Sequence, residues 1–341
     1  MYKIILLIDI SEEYGQNLTK GIVKYSKEIG PRIFCKMPLF YIETHGVDGI
    51  VKFAKDWGAD GIIAHLDNAL DIKKIHKAGI SLIVEDFKER FEGISNITGG
   101  YFETSEMGAE YFIKNGFKNF GFYGFKNIVW SRERFEGFQS YLLGHKFAVH
   151  EFDQDRQGVQ ALWFYNPSLL SQWLKSLPKP IAIMACDDER AQHLTEACKQ
   201  AQIPEQIAVL GVDNDQMTCN LSDPPISSIN LDTEKGGYEA AKLMHQLISE
   251  KHYSPQNIIV KPTHIITRHS TDITSASDLL IARALKFIHQ NISDKINLSD
   301  VLKEVPLSRR SFEKRFYDIT GVAVYKYIYN LKIRSALIGN R

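Results

Sequence analysis

The stretch that decides how this chain is organised is LSDVLKEVPLSRRSFEKRF at residues 298–316, followed by YDITGVAVYKYIYNLKIRSA at residues 317–336. Apolar residues recur at helical spacing in its first part, and they define one face of a short helix. These residues are Leu298, Val301, Leu302 and Val305. Pro306 follows directly and ends that helix, because proline cannot continue an α-helix from within.

A second helix begins two residues after the proline. Ser308 can cap its first turn, and Phe312 and Phe316 are spaced to be buried together. Three polar residues at i, i+3 and i+4 share another face of this helix. They are Arg310, Glu313 and Lys314. The pattern predicts a helix-turn-helix that leads into a long connecting helix, and such a second helix can lie in the major groove of DNA.

The distribution of charge supports this interpretation. The whole chain balances 41 basic against 41 acidic side chains. Residues 276–341, however, hold six Lys and six Arg against four Asp and two Glu, so they carry +6 and the rest of the chain carries −6. A basic module attached to an acidic body is what phosphate binding favours. The structural alternative is a small helical dimerisation module whose charged face is merely solvated.

The length and composition of the chain predict an ordered protein of two or three domains. The 44% of apolar residues suffices for full cores, and the apolar run in MYKIILLIDIS is too short to span a bilayer and lacks signal-peptide features. No later segment predicts a membrane span. The four cysteines show no metal-type spacing, so we expect a reduced, cytoplasmic protein with no metal and no cofactor.

Residues 1–268 alternate apolar runs of strand length with amphipathic helical segments. Examples of the apolar runs are KIILLIDI, GIIAHL, ISLIVED, FGFYGF, PIAIMACD and IAVLGVDN. Runs that are apolar on both faces and separated by helices predict parallel sheets covered on both sides. About nine such units are too many for one open sheet, so the α/β part is expected to form two doubly wound lobes joined by crossing strands.

Polar residues follow the ends of these predicted strands, where ligands of open α/β sheets bind. The residues at strand ends are Asp9, Ser11, Glu85, Asp86, Asp187, Asp188, Asp213 and Asn214. Together with Arg134 and Trp130 they suit a polyhydroxyl ligand, which needs hydrogen-bonding groups and an apolar ring face. Each has a structural alternative. Asp187, Ser11 and Asp213 can simply cap the next helix, Arg134 can form a surface ion pair, and Trp130 can be core.

These motifs resemble two known families. GGYFETSEMGAEYF, WSRERFEGF, IAIMACDDERA and IAVLGVDNDQ are similar to the effector domains of the LacI family, which have a periplasmic-binding-protein-like fold. LSRRSFEKRF and TGVAVYKYI resemble the first half of an AraC-type DNA-binding domain. The combination resembles the bacterial xylose operon regulators, and it covers nearly the whole chain.

The resemblance implies roles in the cleft for particular residues. Arg134 matches the arginine that grips sugar hydroxyls in the LacI family, and Asp213 matches its partner carboxylate. Asp187 and Glu103 match ligand-side positions, while Asp9 and Ser11 fall where the first strand meets the cleft. Trp130 and Trp163 are ring-stacking candidates.

The resemblance also implies roles in the C-terminal domain. Arg310, Glu313 and Lys314 match base-facing positions of AraC-type recognition helices. Glu313 is suited to accept from a cytosine amino group, and Arg310 to donate to a guanine. Arg309 and Arg315 are expected to meet phosphate or support the helix, and Ser308 and Ser311 complete the DNA-binding set.

The expected domains are a two-lobed ligand-binding domain at 1–268, a linker at 269–277 and a helix-turn-helix domain at 278–341. Within the first, lobe 1 is expected at about 1–116 and 232–252, and lobe 2 at about 117–231 and 256–268. One departure from the AraC pattern is that its second helix-turn-helix unit is missing before Arg341. We therefore expect either a fragment of a longer regulator or a protein whose DNA affinity depends on dimerisation.

The function predicted from these features is that of a sugar-responsive transcription regulator. Its expected partners are a pentose, which the resemblance implies to be D-xylose, double-stranded DNA, a second copy in a homodimer, and RNA polymerase as a further candidate. The alternatives are a cytoplasmic sugar-binding protein or a sugar-processing enzyme with a helical interaction module. We expect that the protein is not an enzyme, because its sequence contains no phosphate-cradling glycine loop, no G-x-S-x-G motif and no H-E-x-x-H motif.

Overall fold

The computed structural model describes residues 1–30, 32–153, 165–203, 206–250, 254–272, 279–292 and 296–338. The strands are β1 (Lys3–Leu7), β2 (Ile33–Lys36), β3 (Gly61–His65), β4 (Ser81–Glu85), β5 (Ser95–Gly99), β6 (Phe120–Gly124), β7 (Val149–Asp153), β8 (Ile181–Ala185), β9 (Ile207–Asp213), β10 (Ser227–Leu231), β11 (Ile258–Val260) and β12 (Pro262–Ile266).

The helices of the two lobes are α1 (Glu13–Ile29), α2 (Phe40–Trp57), α3 (Ala69–Lys77), α4 (Tyr101–Lys114), α5 (Val129–Gly144), α6 (Pro167–Ser176), α7 (Asp188–Gln200), α8 (Gln216–Leu221) and α9 (Thr233–Ser249). The C-terminal helices are α10 (Leu279–Gln290), α11 (Leu298–Lys303), α12 (Arg309–Thr320) and α13 (Val324–Ile338).

The strands form two six-stranded sheets, one in each lobe. The first sheet has the order β11-β5-β4-β3-β1-β2, and its strand pairs are parallel. The second has the order β12-β10-β9-β8-β6-β7 and is parallel except for the antiparallel pair of β10 and β12. The prediction of two doubly wound lobes followed by a small helical domain is confirmed.

Strand β1 shows why the sequence forms sheets that are covered on both faces. Ile4 and Leu6 belong to one buried apolar cluster, whereas Ile5 and Leu7 belong to another. Because successive side chains of a strand point to opposite faces, an unbroken apolar run supplies both clusters at once.

The lobes are joined at three crossings, one of which, at about residue 232, coincides with a predicted lobe boundary. The Gly100 amide donates to the Val260 carbonyl at 2.8 Å, and the Asp232 amide donates to the Lys261 carbonyl at 2.9 Å. The chain therefore crosses at about residues 100, 232 and 261, where its three connecting segments are hydrogen-bonded to one another.

Two boundaries of the predicted lobes were wrong. Helix α4 was assigned to lobe 1, which was expected to reach about 116, but it packs on α5 and faces the second sheet, where Gly108 meets Met184 and Leu210. Strand β11 was assigned to lobe 2 but pairs with β5 of lobe 1. The reason is that a crossing follows the last paired strand residue, and sequence periodicity does not reveal strand partners.

The C-terminal helices enclose an apolar core of their own. Val301, Val305, Phe312 and Phe316 are buried in it, as the helical spacing predicted, and Leu298 and Leu302 are partly buried beside them. Asn297 caps α11 and Ser308 caps α12 through hydrogen bonds to backbone amides. These caps satisfy backbone amides in the first turn of each helix and so stabilise both helix starts.

The predicted linker at 269–277 is structured in its first part. Residues His269–Thr271 form a short 3-10 helix, and the buried Ser270 donates its hydroxyl to the Val209 carbonyl at 2.7 Å. These residues therefore belong to lobe 2. The remainder of the predicted linker lies outside the described residues.

Within the described ranges, no helix is long and apolar enough to cross a membrane. All four cysteines are free. Cys35 on β2 is partly exposed, and Cys186, Cys198 and Cys219 are buried.

Helices α1 and α9 approach each other closely through glycines, which yields a stability prediction. A Cβ on Gly237 would lie 1.9 Å from the Leu18 carbonyl oxygen, so Gly237→Ala should force the two helix backbones apart. We expect a loss of about 1–3 kcal/mol of unfolding free energy, as for other overpacked sites. Denaturant unfolding measures it.

The matched control is Gly144→Ala at the end of α5, where an added Cβ meets nothing within 4 Å. This variant should unfold at the same denaturant concentration as the parent or slightly above it. Equal effects of the two substitutions would contradict the close helix crossing.

Candidate functional site: the cleft between the lobes and helix α12

The carboxyl ends of the strands of both lobes face a cleft that is bordered by contacts between the lobes. On one side, the Glu13 amide donates to Asp215 Oδ2 at 3.0 Å and the Gln216 amide donates to Glu13 Oε2 at 2.6 Å. On the other, Arg90 Nη2 lies 2.5 Å from Glu133 Oε2. The lobes are therefore held together by protein contacts around the cleft.

Arg134 of α5 is the central buried cation of the cleft. Its Nη1 donates to the Cys186 carbonyl, and its Nη2 donates to Asp213 Oδ1 at 3.2 Å. Burial opposes its charge, but Asp213 and other nearby groups hold the pKa of Arg134 above its usual value. Its Nε is buried without a hydrogen-bond partner in the part of the chain that the structure describes. One N–H group of the Arg134 guanidinium is therefore buried and left unsatisfied by the described residues.

Two aromatic rings flank this guanidinium. The centroids of the Tyr101 and Trp130 rings each lie 5.4 Å from Arg134 Cζ. Trp130 is partly buried in the first turn of α5 and also meets the Phe125 ring edge-on at 6.5 Å. Both rings are therefore close enough to the guanidinium for cation–π attraction, and they offer apolar faces beside a charged donor.

Asp213 ends strand β9 in an unusual backbone conformation. Its φ is +97°, and that of Asn214 is +57°, a region that residues other than glycine rarely adopt. Burial raises the pKa of Asp213, and Arg134 opposes that rise. Its Oδ2 accepts no hydrogen bond from the described residues. The strained turn thus directs a carboxylate with spare acceptor capacity toward Arg134.

Asp187 lies close to Arg134 but is largely occupied by its own helix. It caps α7, where its Oδ1 accepts from the Arg190 amide at 2.8 Å and from Arg190 Nε at 2.7 Å, and its Oδ2 accepts from Arg190 Nη2 at 2.5 Å. Burial raises the pKa of Asp187, but Arg190 outweighs burial and the pKa is lowered. The capping role that the sequence left open is therefore present.

The two site residues after β1 form a local turn. Asp9 Oδ1 accepts from the Ser11 amide at 2.8 Å and from the Ser11 hydroxyl at 2.5 Å. They lie on the lobe 1 side of the cleft, ahead of α1.

Glu103 is not brought to Arg134. It is more than half exposed, and its Oε1 lies 3.8 Å from Lys261 Nζ at the crossing between the lobes. Trp163 lies outside the described residues.

Sequence reasoning placed Asp86 at a strand end but missed the buried network that surrounds it on the lobe 1 side. The Tyr101 hydroxyl donates to Asp86 Oδ1 at 2.6 Å, and Thr98 and Arg90 donate to Asp86 Oδ2 at 2.6 and 3.1 Å. Tyr101 also faces Arg134, so it links the two lobes. The sequence did not indicate a functional role for Tyr101, because an aromatic residue at the start of a helix usually belongs to the apolar core.

Helix α12 presents the predicted DNA-facing residues to solvent. Arg310 and Lys314 are exposed and form no ion pair among the described residues, whereas Arg309 Nε donates to Glu313 Oε1 at 3.0 Å. Ser308 caps the helix and accepts from the Ser311 amide at 3.3 Å. Two cations are therefore uncommitted, and the acceptor Glu313 is shared with Arg309.

This chain is similar to known proteins in sequence and in fold. A family model of the periplasmic binding protein-like domain matches residues 109–271. The xylose operon regulatory proteins of Haemophilus influenzae and Escherichia coli K12 are each 28% identical to this chain. Each alignment includes 98% of this chain, and it includes 87% of the Haemophilus protein and 86% of the Escherichia protein. This chain is a homologue of those regulators. The match includes the helical C-terminal region, since it spans nearly all residues.

The solved structure of a xylose-binding transcription activator has the same fold, with a TM-score of 0.73 and 24% identity over 96% of this chain and 85% of that one. The relatives are transcription regulators, which agrees with the prediction that this homologue is not an enzyme. They do not favour the alternative of a sugar-processing enzyme.

His193 is a buried histidine on α7. Its ring stacks on that of Tyr165 at 4.1 Å between centroids. Burial, and secondly the charge of Arg190, lower the pKa of His193 to about 4. The folded protein therefore keeps this imidazole neutral at a pH at which the unfolded chain is protonated.

From this shift we predict the pH dependence of stability. The unfolded state binds the extra proton between about pH 6.5 and 4, so stability should fall as pH falls through that window, by about 2 kcal/mol between pH 7 and pH 5. His193→Phe keeps an aromatic ring and removes the titration. Thermal unfolding across this pH range should show a smaller decline for the variant, and parallel curves would contradict the assignment.

Proposed function

We propose that this chain is a transcription regulator that binds a pentose, D-xylose, in the cleft and operator DNA through α12. The observation that carries the proposal is the pairing of Arg134 with Asp213 at the floor of the cleft. One donor of the guanidinium and one oxygen of the carboxylate are left uncommitted by the described residues. The function rests also on the homologous xylose regulators.

The cleft has the chemistry that a sugar requires. Adjacent hydroxyls of a pentose donate to a carboxylate and accept from a guanidinium, and hydrogen bonds to charged groups are stronger than neutral ones. The rings of Trp130 and Tyr101 offer a surface for the apolar face of the sugar. We include Asp9, Ser11 and Asp187 in the proposed site as residues that shape its walls, and Glu103 as a residue of its rim.

DNA binding is supported by α12 and by the charge of its domain. Arg310 and Lys314 are exposed on one face, and residues 276–341 carry a net charge of +6. Arginine can donate two hydrogen bonds to a guanine edge in the major groove. Arg309, Ser308 and Ser311 lie at the start of α12, where backbone amides and cations favour phosphate.

Coupling between sugar and DNA follows from closure of the lobes. The sugar contacts both lobes, so it stabilises the closed form and changes the disposition of the attached helices in a homodimer. A tenfold to hundredfold preference, about 1.4–2.7 kcal/mol, is enough for regulation. We propose that this takes place in the cytoplasm, with RNA polymerase as a further partner.

Asp213→Asn tests the cleft. The substitution keeps the shape of the side chain but removes the charge that faces Arg134, and we expect the affinity for D-xylose to fall about tenfold to hundredfold. Titration calorimetry measures the affinity, and thermal unfolding verifies that the variant is folded.

Asp223→Asn is the matched control, because Asp223 is an exposed carboxylate of lobe 2 that pairs with Lys199. It should bind D-xylose as the parent does. Unchanged binding in Asp213→Asn would remove Asp213 from the site.

Arg310→Ala tests the DNA-facing helix. It should lower the affinity for the preferred site by about 1–3 kcal/mol relative to random DNA, since a bidentate contact to a base carries that much discrimination. Competition binding with both DNAs gives the ratio.

Lys242→Ala on α9 removes one positive charge outside the basic module and should leave the ratio unchanged. If Arg310→Ala weakened both DNAs equally, Arg310 would be a phosphate contact and carry no sequence information.

A further inference from the structure

The turn at residues 213–216, between β9 and α8, is contacted from three directions. Its first residue, Asp213, faces the cleft and accepts from Arg134 at 3.2 Å. The amide of Asn214 donates to the Ser228 hydroxyl at 2.9 Å, which fixes the turn to β10. Asp213 and Asn214 both have positive φ, so the turn has little freedom to shift without reorienting its side chains.

Lobe 1 contacts the far end of this turn. Asp215 caps α8 by accepting from the Thr218 amide at 2.8 Å, and its other oxygen accepts from the Glu13 amide at the start of α1. Glu13 in turn accepts from the Gln216 amide at 2.6 Å. At the start of each helix, a carboxylate thus accepts a hydrogen bond from a backbone amide at the start of the other helix, across the boundary between the lobes. Opening the lobes would break both hydrogen bonds.

The third contact comes from Arg268, just after β12. Its Nη2 donates to Asn214 Oδ1 at 2.8 Å and lies 3.3 Å from Gln216 Oε1, and its Nη1 donates to the Ile226 carbonyl at 2.7 Å. The backbone of Arg268 is also fixed, because its amide donates to the Ser227 hydroxyl at 2.7 Å. One guanidinium therefore holds the turn from the C-terminal side.

Residues 269–272, which follow Arg268, contact both lobe 2 and the helical domain. Thr271 accepts from the Tyr111 hydroxyl at 3.0 Å, and Asp272 Oδ2 lies 2.7 Å from His269 Nδ1. Asp272 Oδ1 lies 3.9 Å from Nδ1 of His289 on α10. The segment is thus anchored on lobe 2 at one end and touches the first C-terminal helix at the other.

We propose that Arg268 is the positioning residue that transmits the state of the cleft to the DNA-binding domain. Closing the lobes engages the turn at residues 213–216 through Glu13, and the ligand engages it through Asp213. Arg268 contacts that turn through Asn214 and Gln216 and couples its position to residues 269–272, where Asp272 approaches His289 of α10. The inference rests on the proposed function and adds the route of coupling to it.

The planar fork of arginine is what this role requires. It reaches two side-chain acceptors and one carbonyl at once with fixed geometry, whereas a lysine ammonium is a flexible point charge. Arg268→Lys therefore keeps the charge and most of the side-chain length and loses the simultaneous contacts. This makes it the variant of choice, because it leaves the lobes able to fold.

The test measures two affinities with the full chain. D-xylose binding by calorimetry should differ less than threefold between Arg268→Lys and the parent. The ratio of operator affinities with and without D-xylose, tenfold or more in the parent, should fall to within twofold in the variant. Arg132→Lys is the matched control, since Arg132 donates to the Lys126 carbonyl on the exposed surface of lobe 2, and it should keep the parent ratio.

Two results would overturn the inference. One is a parent-like ratio in Arg268→Lys. The other is a loss of D-xylose affinity as large as the loss of coupling, which would make Arg268 part of the sugar site. Failure of the proposed function is distinguishable from these results because it would be seen in the parent protein. The parent would then not bind D-xylose, or D-xylose would not change its affinity for DNA.

Hydrogen exchange supplies a readout that needs no DNA. In the parent, D-xylose should slow amide exchange both in residues 213–216 and in residues 268–272. In Arg268→Lys, the first segment should still respond and the second should not. A parallel response of both segments in the variant would contradict transmission through Arg268.

Discussion

The arrangement of this protein depends on the three hydrogen-bonded crossings between its lobes. The backbone hydrogen bonds from Gly100 to Val260 and from Asp232 to Lys261 hold the connecting segments side by side, which ties the two lobes together at this point. Because parallel strands direct their carboxyl ends to the same edge, the crossings also bring two such edges face to face. The cleft is a consequence of this connectivity.

A buried guanidinium gives this cleft a charged centre. Arg134 is 4% exposed, and a buried cation is tolerated only when it is paired and hydrogen-bonded. Asp213 and the Cys186 carbonyl meet part of that requirement, and the unpartnered Nε shows that it is met incompletely by the described residues. In the proposed function, a hydroxyl-bearing ligand would complete the set, so the binding free energy would be linked to the cost of burying the charge.

Much of this could be predicted from the sequence. Apolar runs such as Ile4–Leu7 specify covered strands, and the spacing of Phe312 and Phe316 specifies the helical core, because both patterns are local. The crossings could not be predicted, since strand partners such as β11 and β5 are distant in sequence. Tyr101 was missed because its role depends on Asp86 and Arg134, which come together only in the fold. For Asp187 the sequence predicted a position at a strand end and left open whether it caps the next helix or faces a ligand.

The buried Ser270 and the antiparallel strand β12 determine where the two parts of this protein can be separated. Strand β12 covers the edge of β10, and Ser270 is inserted between the Pro225 and Val209 carbonyls, to which it donates. A sensor cut before β12 would expose an unpaired strand edge, which favours aggregation. The seam for exchanging the C-terminal helical domain for another module therefore lies between Asp272, the last described residue of lobe 2, and the start of α10 at Leu279.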